Sequence, residues 1–200
     1  MRWLKIIAVL IILLAVIQHI RHRAVHHPEG SMTVTSDPEQ TDTSDPVFTL
    51  KQFQVRPLKA FNITARVLST ESYTMDAGAD VSPIDLALGW GAMSDSAVID
   101  QLDISQSGRF YRYHWADQPP IPAGEIISHS ANMHMIPADP SIAEQLKAIR
   151  VGQIVHLSGD LVDVTDPQKG WHWRSSLTRE DTGDGACELI WVKQVSVSDR

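Results

Sequence analysis

The apolar run from Ile6 to Ile17, with no polar side chain inside it, constrains this chain more than any other feature. Taken from Trp3 to Ile20, with Lys5, Gln18 and His19 near the ends, it makes a helix of roughly 27 Å, against a bilayer hydrocarbon core of ~30 Å. A helix apolar on every side has no stable place in water. The expectation is a transmembrane anchor over residues 3–20, with the remainder working beside a lipid surface. A cleaved signal peptide would share the basic start, Arg2 and Lys5. However, Gln18-His19-Ile20-Arg21-His22-Arg23 has no pair of small residues three apart to fit a signal peptidase, which favours an uncleaved signal-anchor. Arg2, Lys5 and the terminal amine nearly balance Arg21 and Arg23 across the span. A very short basic N-terminus favours the cytoplasm and leaves the rest of the chain outside.

Charge is spread unevenly over the 200 residues. Four of the 17 basic residues lie before residue 28, where no acidic residue stands. The other 13 therefore face all 24 acidic residues, a net of −11. Nucleic-acid affinity rests on Lys and Arg displacing counterions, so this balance excludes nucleic acid as the expected partner. It also repels anionic headgroups, which leaves the helix as the membrane attachment. The single cysteine, Cys187, rules out an intrachain disulfide.

Residues 21–46 read as an acidic, Ser/Thr/Pro-rich linker in which Ser36-Asp37-Pro38 returns as Ser44-Asp45-Pro46. Such a tether stays extended and would hold a domain off the bilayer. The globular domain is expected over residues 47–200. Phe61, Ile63, Ala65 and Val67 alternate with polar residues, the period of a half-buried strand. Ser82-Pro83-Ile84-Asp85 has the form of a helix start, and Ser94 of a second. Arg109–Trp115 and part of Glu125–Ile136 are strand-like. Asp139 and Pro140 open a helix with Ile142, Leu146 and Ile149 on one face, ended by Gly152. Two strand pieces around Gly159, then Trp171–Leu177 and Leu189–Val197, complete the pattern.

From Arg109 the order strand, strand, capped helix, strand, strand, strand resembles a small barrel of the OB type, with Ser82–Ile104 as an insertion. The fold class expected is therefore α+β: an N-terminal transmembrane helix, then an OB-like β-barrel core with two or three short helices. Ser130-Ala131-Asn132-Met133-His134-Met135-Ile136-Pro137 and the run Arg174–Gly183 look like those of uncharacterised membrane-anchored bacterial proteins. That resemblance implies a single-pass protein of the bacterial inner membrane, its domain extracytoplasmic, and carries no activity with it.

Chemistry-bearing residues are few. Aromatic strands offer a ligand surface, and Arg112 with His114, and His172 with Arg174, fall on the faces opposite Tyr111/Tyr113 and Trp171/Trp173. These four are the candidate ligand-binding residues. Cys187, approached through Gly183-Asp184-Gly185-Ala186, is a candidate nucleophile if a base such as His134 lies near. Glu180, Asp181 and Asp184 concentrate oxygen ligands of the kind calcium takes, although the EF-hand register fails. His129 and His134, five apart, diverge on either a strand or a helix, so no transition-metal site is expected. No cofactor motif is present. The function expected is a cell-envelope binding or assembly module with a protein or small-molecule partner, and a thiol-dependent enzyme is the alternative.

Overall fold

In a computed structural model, described over Trp3, Ile7, residues 23–178, Gly183 and residues 185–199, two short strands, β1 (Glu39–Thr41) and β2 (Phe48–Leu50), precede a long one, β3 (Phe53–Ser72). The alternating residues Phe61, Ile63, Ala65 and Val67 are all buried on the inner face of β3. Then come β4 (Ile84–Gly89), a 3-10 turn at Gly91–Ser94 and α1 (Ser96–Ile99). A hairpin of β5 (Asp103–Ser107) and β6 (Phe110–His114) follows, then α2 (Ala123–Ser128), β7 (Ser130–Pro137) and α3 (Pro140–Lys147). The chain ends with β8 (Ile154–Asp166), β9 (Trp171–Arg174) and β10 (Glu188–Ser198). Among the described residues the fold is thus mixed α+β, mostly strand, with α1, α2 and α3 all short.

Five strands close into a ring in the order β3-β4-β7-β10-β8, with β8 returning to β3 over a register from Gln54↔Thr165 to Arg66↔Ile154. The β7–β10 pairing is parallel and the other ring pairings are antiparallel. Closure removes the open edges that a five-stranded sheet would otherwise present. The length of β3 allows this, because its first part pairs with β8 and its last part with β4. Its ladder with β8 slips just after Pro57, whose missing N–H cannot join it. Ile84, Leu86 and Leu88 from β4, Met133 and Met135 from β7, and Ile190 and Val192 from β10 fill the interior. Helix α3 joins β7 to β8. Asp139 Oδ1 accepts from the Ile142 N–H at 2.9 Å, and Ile142, Leu146 and Ile149 enter the same core.

Several expectations change. Ser82-Pro83-Ile84-Asp85 begins a strand and not a helix, because all six residues of β4 are buried, on both faces, and the helix-start signal has no exposed face to support it. Asp95, and not Ser94, caps α1; its carboxylate accepts from the Ala97 N–H, while the Ser94 hydroxyl is drawn to the Gly91 and Val34 carbonyls. Glu125–Ile136 does hold the expected strand, as β7, and its first residues belong to α2. The strand at Arg109–Trp115 forms as β6, but it belongs to a separate two-stranded hairpin and not to the ring, so the ring begins at Phe53. Gly159 lies inside one continuous strand, β8.

The stretch from Pro28 to Pro46 runs along the domain. Val34 is buried, Glu39–Thr41 pair with Ala60–Asn62, and Lys193 bridges Asp45 and the buried Asp160. Apart from Trp3 and Ile7, the 3–20 run lies outside the described residues; among the described residues no helix is long and apolar enough to cross a membrane.

Candidate functional site

The outer face of β4 and β7 carries a polar pair where an apolar one would be expected. Asp85 and His134 are direct cross-strand partners, both essentially inaccessible at 0% and 2% exposure. His134 Nδ1 lies 2.9 Å from Asp85 Oδ1, close enough for an ion pair though not aligned as a hydrogen bond. A buried carboxylate needs compensation, and Asp85 receives more of it from Arg109, whose Nη1 donates to the same Oδ1 at 2.7 Å.

Arg109 reaches this position by a particular backbone route. It follows Gly108 in the two-residue turn joining β5 to β6, and both have positive φ, 58° and 73°. That is the conformation of a type I′ hairpin turn, which glycine adopts freely and arginine does not. The guanidinium lies 3.7 Å from the Tyr73 ring centroid and donates through Nε and Nη2 to both oxygens of Asp76. The Arg109 N–H donates to the Tyr73 hydroxyl and its carbonyl accepts from Asn132 Nδ2 at 2.9 Å. One residue therefore fastens the hairpin tip to the loop after β3 and to the barrel wall.

Partial burial alone would raise the Asp76 carboxyl, but its hydrogen bonds and charge contact with Arg109, aided by the Gly78 and Ala79 N–H groups, hold it below the ordinary carboxylate range. A depressed native carboxyl stabilises above its unfolded value of about 3.9, and that stability is lost as pH falls through the lower native value. The hairpin tip is expected to loosen below about pH 4. The emission of Trp173, near the Arg109 guanidinium, should report it, and Asp76→Asn should abolish that acid transition.

Around His134 a cleft of about 350 Å³ opens. Its walls are Phe110 from the hairpin, Ala77 and Gly78 from the loop after β3, and Trp171 and Trp173 from β9. The Trp173 ring centroid stands 4.4 Å from that of His134. Cys187, half-buried, lines the same cleft, and it also lines an adjoining cavity of about 270 Å³ between β6 and β7. The adjoining cavity is lined in part by Trp90, Tyr111, Asn132 and Glu188. Burial pushes the Tyr111 phenol up to about 12, despite the nearby Ser130 hydroxyl, and keeps it neutral.

The structure brings His134 and Cys187 into one cleft. It does not gather the four proposed ligand residues. Arg112 lines the smaller cavity but is tied back to Ser107 within the hairpin, and His114 sits opposite Asp103 at its far end. His172 borders the larger cleft while contacting Asp163 at 2.5 Å, and Arg174 shares that carboxylate from 3.2 Å. Glu180, Asp181 and Asp184 lie outside the described residues. His129 closes α2, its Nδ1 against the Glu125 carbonyl, away from His134. Sequence reasoning missed Asp85, Asp76 and Arg109. The legible signal was a lone polar residue within each of two apolar runs, Ile84-Asp85-Leu86 and Met133-His134-Met135. Comparison with protein-family models, curated proteins and solved structures gives no match for this chain.

Proposed function

We propose that this chain is a membrane-anchored binding module of the bacterial cell envelope, its ligand seated in the cleft over His134. The observation that carries this reading is the cleft itself: His134, almost wholly buried and backed by the inaccessible Asp85, lies beneath walls of Phe110, Trp171 and Trp173. A few fixed polar groups inside a mostly apolar concavity of this volume are what small-molecule sites have in common. The ring order, with its one parallel pairing and a helix between the third and fourth ring strands, supports an OB-type barrel. In that fold the second and third strands and the loops after the first and fourth form the binding face. Of those parts, β7 through His134, the loop holding Asp76 to Gly78, and Trp171, Trp173 and Cys187 after β8 meet at the cleft. The 3–20 run supports the anchor, and the −11 charge after residue 27 disfavours nucleic acid.

The ligand is neutral where it meets the cleft. Arg109, its strongest cation, is already matched by Asp76 and Asp85, and His172 by Asp163. Benzamide, planar and uncharged, is a suitable probe. Saturation-transfer NMR on the full chain in lipid nanodiscs should show its ring protons in contact with the protein, and Trp173→Ala should weaken that transfer severalfold. Equal transfer from both proteins would remove the cleft from the proposal, and release of the chain from carbonate-washed membranes would remove the anchor.

A further inference from the structure

In the parallel register of β7 and β10, Glu188 stands opposite Met133 and Leu189 opposite His134. Cys187 lies one position before β10, so strand alternation carries it to the outer face shared by Asn132 and His134. There it joins none of the three apolar clusters among the described residues, although small thiols usually end in such clusters. It borders both cavities instead. The His134 imidazole stands between Asp85, whose Oδ1 lies 2.9 Å from Nδ1 without an aligned hydrogen bond, and the tilted Trp173 ring 4.4 Å from its centroid. With Nδ1 turned to Asp85, the edge carrying Nε2 is the one left for the cleft that His134 lines. A thiol, an imidazole and a carboxylate in that sequence are the parts of an activated nucleophile.

We propose that Cys187 is a nucleophilic thiol, with His134 as its base and Asp85 as the residue that positions His134, and that it accepts the acyl group of a neutral ester or thioester. The proposal deepens the binding reading by naming the substrate class for the same cleft. His134 Nε2 takes the thiol proton as Cys187 Sγ bonds to the substrate carbonyl carbon. The carbon–oxygen or carbon–sulfur bond to the leaving group breaks, and the leaving group carries away the proton from His134. Water then attacks the S-acyl carbonyl and passes a proton by way of Nε2 to the departing Sγ, which releases the carboxylic acid and restores the thiol. No oxidant or reductant is needed. A neutral acyl group suits a cleft with apolar walls whose cation is already matched.

The test uses the full chain with p-nitrophenyl acetate, followed by intact mass and nitrophenolate release. Wild type should acquire one acetyl group, absent from Cys187→Ala, and His134→Gln should slow its formation by on the order of 100-fold. Asp85→Asn should move the pH midpoint of acetylation downward, because the imidazolium that forms loses its carboxylate; a purely structural role would leave the midpoint in place. If His134→Gln does not fold, the pH dependence of iodoacetamide alkylation of wild type decides. An inflection below the free-thiol value of about 8.5 supports the assignment, and one at or above it overturns it. Absence of both a Cys187 acetyl adduct and Cys187-dependent nitrophenolate turnover also overturns it, while benzamide contact that still depends on Trp173 would leave the binding reading standing.

Discussion

Asp85→Ala is expected to destabilise the domain by about 3 kcal/mol, the lower end of what removing one partner from a buried ion pair costs. The reason is the geometry of what remains. Asp85 has no exposed surface, and its Oδ1 serves two cationic or potentially cationic groups, Arg109 at 2.7 Å and His134 at 2.9 Å. Taking it away strands both in a site with little water. Arg109 has a second carboxylate, since Asp76 holds it bidentately at the cleft rim. That outlet keeps the cost below the ~5 kcal/mol reached when a buried charge has none. Asp85→Asn, which keeps a hydrogen-bond acceptor of the same shape, should cost about half as much. Urea unfolding followed by far-UV circular dichroism would measure both variants. A loss below ~1 kcal/mol for the alanine variant would mean that Asp85 is not the electrostatic centre of the site.

Elements whose pattern was local were legible in the sequence. Helix α3 announces itself through Asp139, Pro140 and the Ile142/Leu146 spacing, and each of those residues does locally what its type suggests. The inner face of β3 is visible for the same reason, because its outer face is partly solvated and the alternation survives. Strand β4 was hidden because it is buried on both sides. Ile84, Leu86 and Leu88 face the barrel core while Ala87 packs under the insertion beside Met93 and Ile126, so no period stands out and Ser82-Pro83 looks like a helix start. Strand β6 was legible as strand but β5 was not, nor was their place outside the ring, since membership of the ring is decided by partners far away in sequence.

The candidate site was legible only in halves. Cys187 and His134 are residue types that invite attention anywhere. Their meeting depends on the parallel β7–β10 pairing, a long-range contact that spacing does not encode. The face pattern of β9 was correct: Trp171 and Trp173 share one side, His172 and Arg174 the other. Function was then sought on the Arg and His side, whereas the two Trp side chains form the cleft wall and the polar pair is absorbed by Asp163. Arg109 carried no local signal as a clamp; its role follows from a positive φ that turns its side chain back across the barrel.

Gly159→Ala is expected to cost more than ~4 kcal/mol, a loss rarely seen for one methyl group and diagnostic when it is. The added Cβ would stand 1.9 Å from the Trp191 carbonyl oxygen and 2.9 Å from its carbon. Both are backbone atoms of a neighbouring strand, so no side chain can rotate out of the way. Gly159 is the residue of β8 that pairs with Phe61 on β3 and Val192 on β10 at once, and the β10 ladder shifts register immediately afterwards. Moving β10 away would open the ring at its closing pair and draw Ile190 and Val192 from the core. Gly124→Ala is the matched control. Nothing lies within 4 Å of its Cβ, its φ is not positive and it sits within α2, so the same methyl group should stabilise by up to ~1 kcal/mol. Thermal melts of the two variants beside wild type would settle the matter. A Gly159→Ala protein that melts with wild type would show that β8 and β10 do not approach this closely and that the barrel is not closed there.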